Sequence, residues 1–264
     1  MNENLLFAFA LTLFAGLSTG IGSLISFFTK KTNTKILSFS LGLSGGVMMY
    51  ISFVEMLPDS IERLSSEYNN AGSWYAIIAF FGGILLSLII DKLVPEQNNP
   101  HEVRLVESMN EKVDKSKLKR MGLITALAIA IHNFPEGIAT FIAAYSDPEL
   151  GIPIAAAIAI HNIPEGIAVA VPIYFATGDR RKAMRLSFLS GLSEPVGALL
   201  AFLFIMPFLN DALLGIIFAV VAGIMVFISF DELLPGAQKY GDHHTPTYGV
   251  IVGMAIMAFS LLLL

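Results

Sequence analysis

The chain has no cysteine, and only 14% of its 264 residues are charged. The missing thiols exclude disulfides, thiolate metal sites, iron–sulfur clusters and cysteine nucleophiles. Any metal must then be held by nitrogen, oxygen or thioether donors. An ordinary soluble domain carries about 25% charged residues. The deficit here, with 55% hydrophobic residues and a mean hydropathy of +0.71, excludes a nucleic-acid binder, a disordered chain and an ordinary soluble enzyme. Positive charge is absent where it would matter most: no Lys or Arg falls well inside a long apolar run.

What the chain does have is apolar length. A bilayer span needs about 20 mostly apolar residues. Eight such runs, at roughly 5–28, 34–57, 73–93, 121–144, 151–175, 183–207, 211–234 and 247–264, predict an all-α integral membrane protein with eight transmembrane helices. They leave room for a single transmembrane domain over 1–264 and no separate soluble one. The longest connection, at about 94–120, is rich in Lys, Glu, Asn and Ser and reads as a mobile loop or a short amphipathic helix. The first run is not a typical signal peptide: Glu3 precedes it and Lys30 and Lys31 follow it.

Lys and Arg stay on the cytoplasmic side. Every basic residue except Arg63 falls in the connections after spans 1, 3, 5 and 7, or at their edges. Both termini are therefore expected outside the cytoplasm of a cell (inner) membrane, and the 94–120 loop inside. The outer connections are net acidic. That face would either concentrate cations at an entrance or simply be a solvated surface. Six further carboxylates, Glu55, Glu136, Glu165, Glu194, Asp231 and Glu232, fall within spans. Without basic partners they need another cation or a proton.

Two internal repeats organise the chain. Residues 128–139 read AIAIHNFPEGIA and residues 157–168 read AIAIHNIPEGIA, eleven of twelve positions identical at an offset of 29. They lie near the middle of consecutive, oppositely directed spans. Residues 45–58, GGVMMYISFVEMLP, and 222–235, AGIMVFISFDELLP, match at eight of fourteen positions at an offset of 177. Their spans, 2 and 7, also run in opposite directions. The simplest architecture is spans 1–3 and 6–8 as inverted three-helix repeats around spans 4 and 5, with a site near the midplane.

The chemistry sits in the first repeat. His132 and Glu136, and again His161 and Glu165, are four residues apart and share a helix face. Two nitrogen and two oxygen donors can then converge between the helices. That set suits Zn²⁺, and also Fe²⁺, Mn²⁺, Co²⁺ and Cd²⁺. Asn133 and Asn162, one residue on, face a neighbouring position where Glu136 and Glu165 could bridge a second cation. Span 6 adds Glu194 in SGLSEPVG. Pro135 and Pro164 each remove a backbone hydrogen bond and kink the helix. This frees the carbonyls of Ile131 and Ile160 to turn toward water or a metal. Gly137 and Gly166 allow close helix approach. Close carboxylates favour protonation when no cation is present, so metal entering should displace protons. Kinked spans 4 and 5, with two similar packings from an inverted repeat, predict alternating access against a frame containing spans 2 and 7.

His132-Asn133-Phe134-Pro135-Glu136-Gly137, His161-Asn162-Ile163-Pro164-Glu165-Gly166 and Ser193-Glu194-Pro195 resemble the motifs of the ZIP (Zrt/Irt-like) family of divalent metal transporters. The resemblance covers the whole eight-span plan. It implies a two-metal centre, one site of His132, Glu136, His161 and Glu165, the other of Asn133, Glu136, Asn162, Glu165 and Glu194. It implies uptake of metal into the cytoplasm, with zinc or another divalent cation as cargo and no catalytic cofactor. It implies a homodimer in a lipid bilayer, with no nucleic-acid partner. Many relatives carry a His-rich loop between spans 3 and 4; this loop holds only His101.

Several residues stay ambiguous from sequence. Met48 and Met49 are either thioether donors or packing residues. Glu55 and Glu232, mates in the second repeat, are either ligands at the two mouths or helix-end hydrogen-bond partners. His243 and His244 either receive departing metal or sit in a solvated loop. An exporter or a monovalent-cation carrier would use the same spans, although imidazole disfavours Na⁺ and K⁺. An intramembrane zinc hydrolase would want His-Glu-x-x-His with a free general base. Here every mid-span carboxylate is committed to ligation, so the chain is not expected to be an enzyme.

Overall fold

The computed structural model describes residues 3–28, 34–93 and 115–263, with some side chains inside these ranges not described. Among the described residues the chain is helical and contains no strand. The helices are α1 (Glu3–Phe28), α2 (Thr34–Ile51), α3 (Leu57–Tyr68), α4 (Asn70–Leu93), α5 (Lys115–Ser146), α6 (Pro148–Thr177), α7 (Arg180–Gly191), α8 (Ser193–Leu200), α9 (Asp211–Ile228), α10 (Leu234–Tyr240) and α11 (Thr245–Leu263). Six described stretches are long and apolar enough to cross a membrane: Glu3–Leu24, Thr34–Tyr68, Asn70–Lys92, Arg180–Phe208, Asp211–Tyr240 and Thr245–Leu262. The runs expected at 121–144 and 151–175 fall in α5 and α6, each of which holds residues whose side chains are not described.

Two boundaries differ from expectation. The second run does not stop at Pro58. A π-helical turn at Ser52–Met56 carries α2 straight into α3, and the rod continues to Tyr68. In the widened turn the Leu57 N–H bonds Ser52 O. Pro58 follows in the first turn of α3, where a missing N–H costs least. The same device recurs at Ser229–Leu233, where Leu234 N–H bonds Ser229 O and Pro235 follows. The loop expected at about 94–120 lies outside the described residues as far as 114. Lys115–Arg120 instead form the first turns of α5, because Lys, Leu and Arg are good helix formers whether or not they are apolar.

Polar residues set the joints. Asn69, at φ 52°, breaks α3 from α4. Asp179 caps α7 through the Lys182 N–H, and Asn210 caps α9 through the Leu213 N–H.

The helices pack in two groups. In one, α1 lies along α6, α5 along α6 and α8, and α7 against α1 and α6. In the other, α2 lies along α11 and α10, and α9 along α4 and α3. Between them, α2 meets α6 and α9 meets α5. Small residues bring backbones into contact, the dominant way helices associate in lipid. A Cβ on Gly166 would sit 1.7 Å from Thr19 O, and one on Gly137 2.2 Å from Glu194 O. In the second group, a Cβ on Gly46 would meet Val250 O at 2.2 Å and one on Gly223 would meet Phe80 O at 2.0 Å. Phe141, Phe218, Met48, Ile142, Ile158 and Met225 fill the core without exposed surface. Phe9 and Phe202 pack on Phe141 at centroid distances of 4.7 and 6.4 Å.

Candidate metal centre

The first group of helices buries an unusual set of polar side chains. Asn133 and Glu136 come from α5, His161, Asn162 and Glu165 from α6, and Glu194 from α8. All are buried, and no Lys or Arg is among the buried residues described. The side chain of His132 lies outside the described residues. The close approaches at Gly137 and Gly166 bring α8 and α1 against the motif helices, so the buried groups meet.

The contacts fall into two linked sets. His161 Nε2 sits 2.9 Å from Glu165 Oε1. With its amide turned so that the NH2 faces acceptors, Asn133 donates to Glu165 Oε2 at 3.1 Å and to Ile129 O at 3.0 Å. This set joins α5 to α6. In the second set, the Asn162 amide donates to Glu194 Oε1, joining α6 to α8, and to Ala15 O of α1 at 2.9 Å. Glu136 stands within electrostatic reach of both His161 and Glu194. Among the described residues no three His, Asp or Glu side chains close on one point.

Two oxygens in this centre stand out. Asn162 Oδ1 and Glu194 Oε2 are buried and have no hydrogen-bond partner among the described residues. Leaving a buried acceptor unpaired costs about 1–3 kcal/mol, and more for a charged group. A cation shared by these oxygens removes that cost; so does a proton on Glu194 for its own part.

The other candidates resolve unevenly. Met48 is fully buried in the apolar core and Met49 is half-buried. Glu55 is half-buried beside Asp59 and Asp147 in electrostatic terms, whereas Glu232 lies within electrostatic reach of His161. His243 and His244 are exposed and stack on each other at 4.8 Å, with Tyr248 on His244 at 5.9 Å. Asp242, in the same loop, is held down at about 2, chiefly by the Thr245 hydroxyl.

One residue at the centre escaped the sequence reading. Ser44 of α2 is fully buried, and its Oγ lies 3.0 Å from His161 Nδ1. Its only local signal was a hydroxyl in a run of small and apolar residues.

An all-helical chain with several membrane-length apolar helices, and with carboxylates, amides and imidazole buried between them, is a multi-pass membrane protein. The model of the ZIP zinc transporter family matches residues 4–117 and 95–261, and the chain belongs to that family. It is 62% identical to the zinc transporter ZupT of Lysinibacillus sphaericus, over 100% of both chains. It is 60% identical to the ZupT of Oceanobacillus iheyensis, over 99% of each, and 58% identical to that of Streptococcus mutans, over 100% of this chain and 99% of the relative.

Proposed function

We propose that this protein carries Zn²⁺ into the cytoplasm across the cell membrane, and that the ion passes through a centre of His132, Asn133, Glu136, His161, Asn162, Glu165 and Glu194. The observation that carries the reading is the pair of buried oxygens without a hydrogen-bond partner among the described residues, Asn162 Oδ1 and Glu194 Oε2, beside the His161–Glu165 pair. Neutral amide, carboxylate and imidazole donors without a buried cation fit a divalent ion as substrate. The relatives named zinc transporters agree with zinc as that ion. Glu136 and Glu165 neutralise one divalent cation, and Glu194 offsets part of a second.

The proposal includes eight spans and an inverted repeat, with both termini outside. The packing supports the repeat. If span 1 exchanges with 6, 2 with 7, 3 with 8 and 4 with 5, then α1 on α6 becomes α8 on α5, and α2 on α11 becomes α9 on α4; all four pairs occur. The glycine contacts obey the same exchange: Gly166 on Thr19 with Gly137 on Glu194, and Gly46 on Val250 with Gly223 on Phe80. The π-helical turns at Ser52–Met56 and Ser229–Leu233 fall at matching positions. Under this exchange Thr19 is the counterpart of Glu194, so only one side of the centre carries a third carboxylate.

The two packing groups supply the moving parts of alternating access: the group with α1 and α5–α8 shifts against the group with α2, α4, α9 and α11. Exposed Trp74, Ile78 and Phe81 on α4, with Ile251 and Phe259 on α11, give an apolar outer surface suited to lipid or to the second copy of a homodimer.

Purified protein in sealed liposomes tests the function. Saturable Zn²⁺ uptake is expected, and Glu136→Ala should abolish it, with metal content by mass spectrometry falling in parallel. Uptake no faster than in empty liposomes, or unchanged in Glu136→Ala, overturns the reading.

A further inference from the structure

We infer that Ser44 is a positioning residue for the metal centre: its hydroxyl holds the Nδ1 edge of His161 and so presents Nε2 to the ion. The inference rests on the proposed metal centre and adds to it a residue outside the ligand set. Ser44 Oγ is 3.0 Å from Nδ1, and Nε2 is 2.9 Å from Glu165 Oε1, so the two ring nitrogens face different partners, the hydroxyl on one edge and the carboxylate on the other. Both Ser44 and His161 are fully buried, so no water competes for the Nδ1 contact.

A neutral imidazole has one N–H and one lone pair. With the Nδ1–H donated to Ser44, the lone pair lies on Nε2, the atom aimed at Glu165. Metal then enters between Nε2 and Oε1 without the ring having to turn or change tautomer. Partners of this kind fix the orientation of metal-bound histidines, and losing one typically costs about 10–100-fold in affinity.

The position has a second property. Ser44 lies on α2 and His161 on α6, helices of different packing groups that meet at this point. The hydroxyl therefore comes from outside the group that supplies the described ligands. At the matching position of the second repeat, offset by 177, stands Val221, which has no hydroxyl. The second repeat therefore offers no counterpart of this hydroxyl at that position.

The test uses the full-length protein in detergent or nanodiscs. Zn²⁺ affinity is measured by calorimetry, and the visible absorption of the Co²⁺-loaded protein reports ligand geometry. Ser44→Ala should weaken Zn²⁺ binding by about 10–100-fold and shift the Co²⁺ bands. Ser44→Thr, which keeps the hydroxyl, should restore both, whereas Ser44→Val, its equal in shape, should not. Ser38→Ala is the control. Ser38 is equally buried in α2 but donates to Ala237 O at 2.7 Å, so its loss should leave affinity and spectrum unchanged. If Ser44→Ala does not yield folded protein, the Thr and Val pair decides alone. Wild-type affinity and spectrum in folded Ser44→Ala or Ser44→Val overturn this inference while leaving the metal centre standing. Ser44→Thr behaving like Ser44→Val also overturns it. Wild-type protein that binds no Zn²⁺ overturns the proposed function instead.

Discussion

The two packing groups share a length scale and a way of touching, yet their interiors differ. The group of α1 and α5–α8 buries Thr12, Thr19, Asn133, Glu136, Thr140, His161, Asn162, Glu165, Ser187 and Glu194. The group of α2, α4, α9 and α11 buries Met48, Ile51, Phe80, Phe218, Met225 and Ile228, with only scattered serines. Both use glycine to bring backbones together, at Gly166 and Gly137 in the first and at Gly46 and Gly223 in the second. Close packing is therefore a general need of the bundle, and polarity is the specialised feature. The polar interior is where the cargo is proposed to ride, and the apolar one is what it moves against.

The sharpest way to break this contrast is to wedge the polar group apart. A Cβ at Gly166 would lie 1.7 Å from Thr19 O, a distance no neighbour can absorb without backbone movement. Gly166→Leu should abolish both transport and the monodisperse peak on size exclusion. Next in size is a change that keeps the fold and removes the chemistry. Glu165→Gln keeps shape but loses the charge shared by His161 and Asn133. Zn²⁺ affinity should fall by more than the roughly 100-fold expected of a supporting residue, with little change in thermal unfolding.

The apolar group should show the opposite pattern. Phe218→Ala empties a fully buried site beneath the Arg63 guanidinium. Stability should drop by about 3 kcal/mol, read as a lower unfolding temperature, while zinc stoichiometry per folded molecule stays the same. A drop in stoichiometry there would erase the distinction between the groups.

The smallest effect is expected outside both. Asp242 is exposed, caps Thr245 and lies 3.5 Å from Lys35. Its carboxyl is depressed from 3.8 to about 2. The cap is therefore fully present above about pH 4 and is lost only as pH falls through 2. Asp242→Asn should leave transport and its profile between pH 5 and 8 unchanged.

Much of this was legible from residues alone, because the signals were local or repeated. The HNxPEG motifs announced their spacing twice at an offset of 29, and the structure places Asn133 beside Glu165 and Asn162 beside Glu194. Glu194 was visible as a carboxylate without a basic neighbour. Ser44 was not, because its partner is 117 positions away and a serine among small residues carries no local signature. The rod continuing past Pro58 was missed for a different reason. Proline at the end of an apolar run reads as a stop, and here a widened turn ahead of it, one no propensity scale registers, lets the helix pass. The start of α5 at Lys115 was missed because apolar length, the guide to spans, is blind to a polar extension of the same helix.

The glycine contacts of α6 have one more consequence. Gly22 meets Ile163 O and Gly166 meets Thr19 O with no side chain between the two backbones. Local opening of a helix requires room for its amides to reach solvent, and regions differ widely in how often they find it. At 163–166, Pro164, Glu165 and Gly166 are buried, which leaves the backbone little room to open. These amides, in a segment holding a proline and a carboxylate, should exchange hydrogen for deuterium among the slowest in the molecule, slower than those of the wholly apolar but outward-facing α4. A stretch that carries a buried carboxylate would then be among the best sealed.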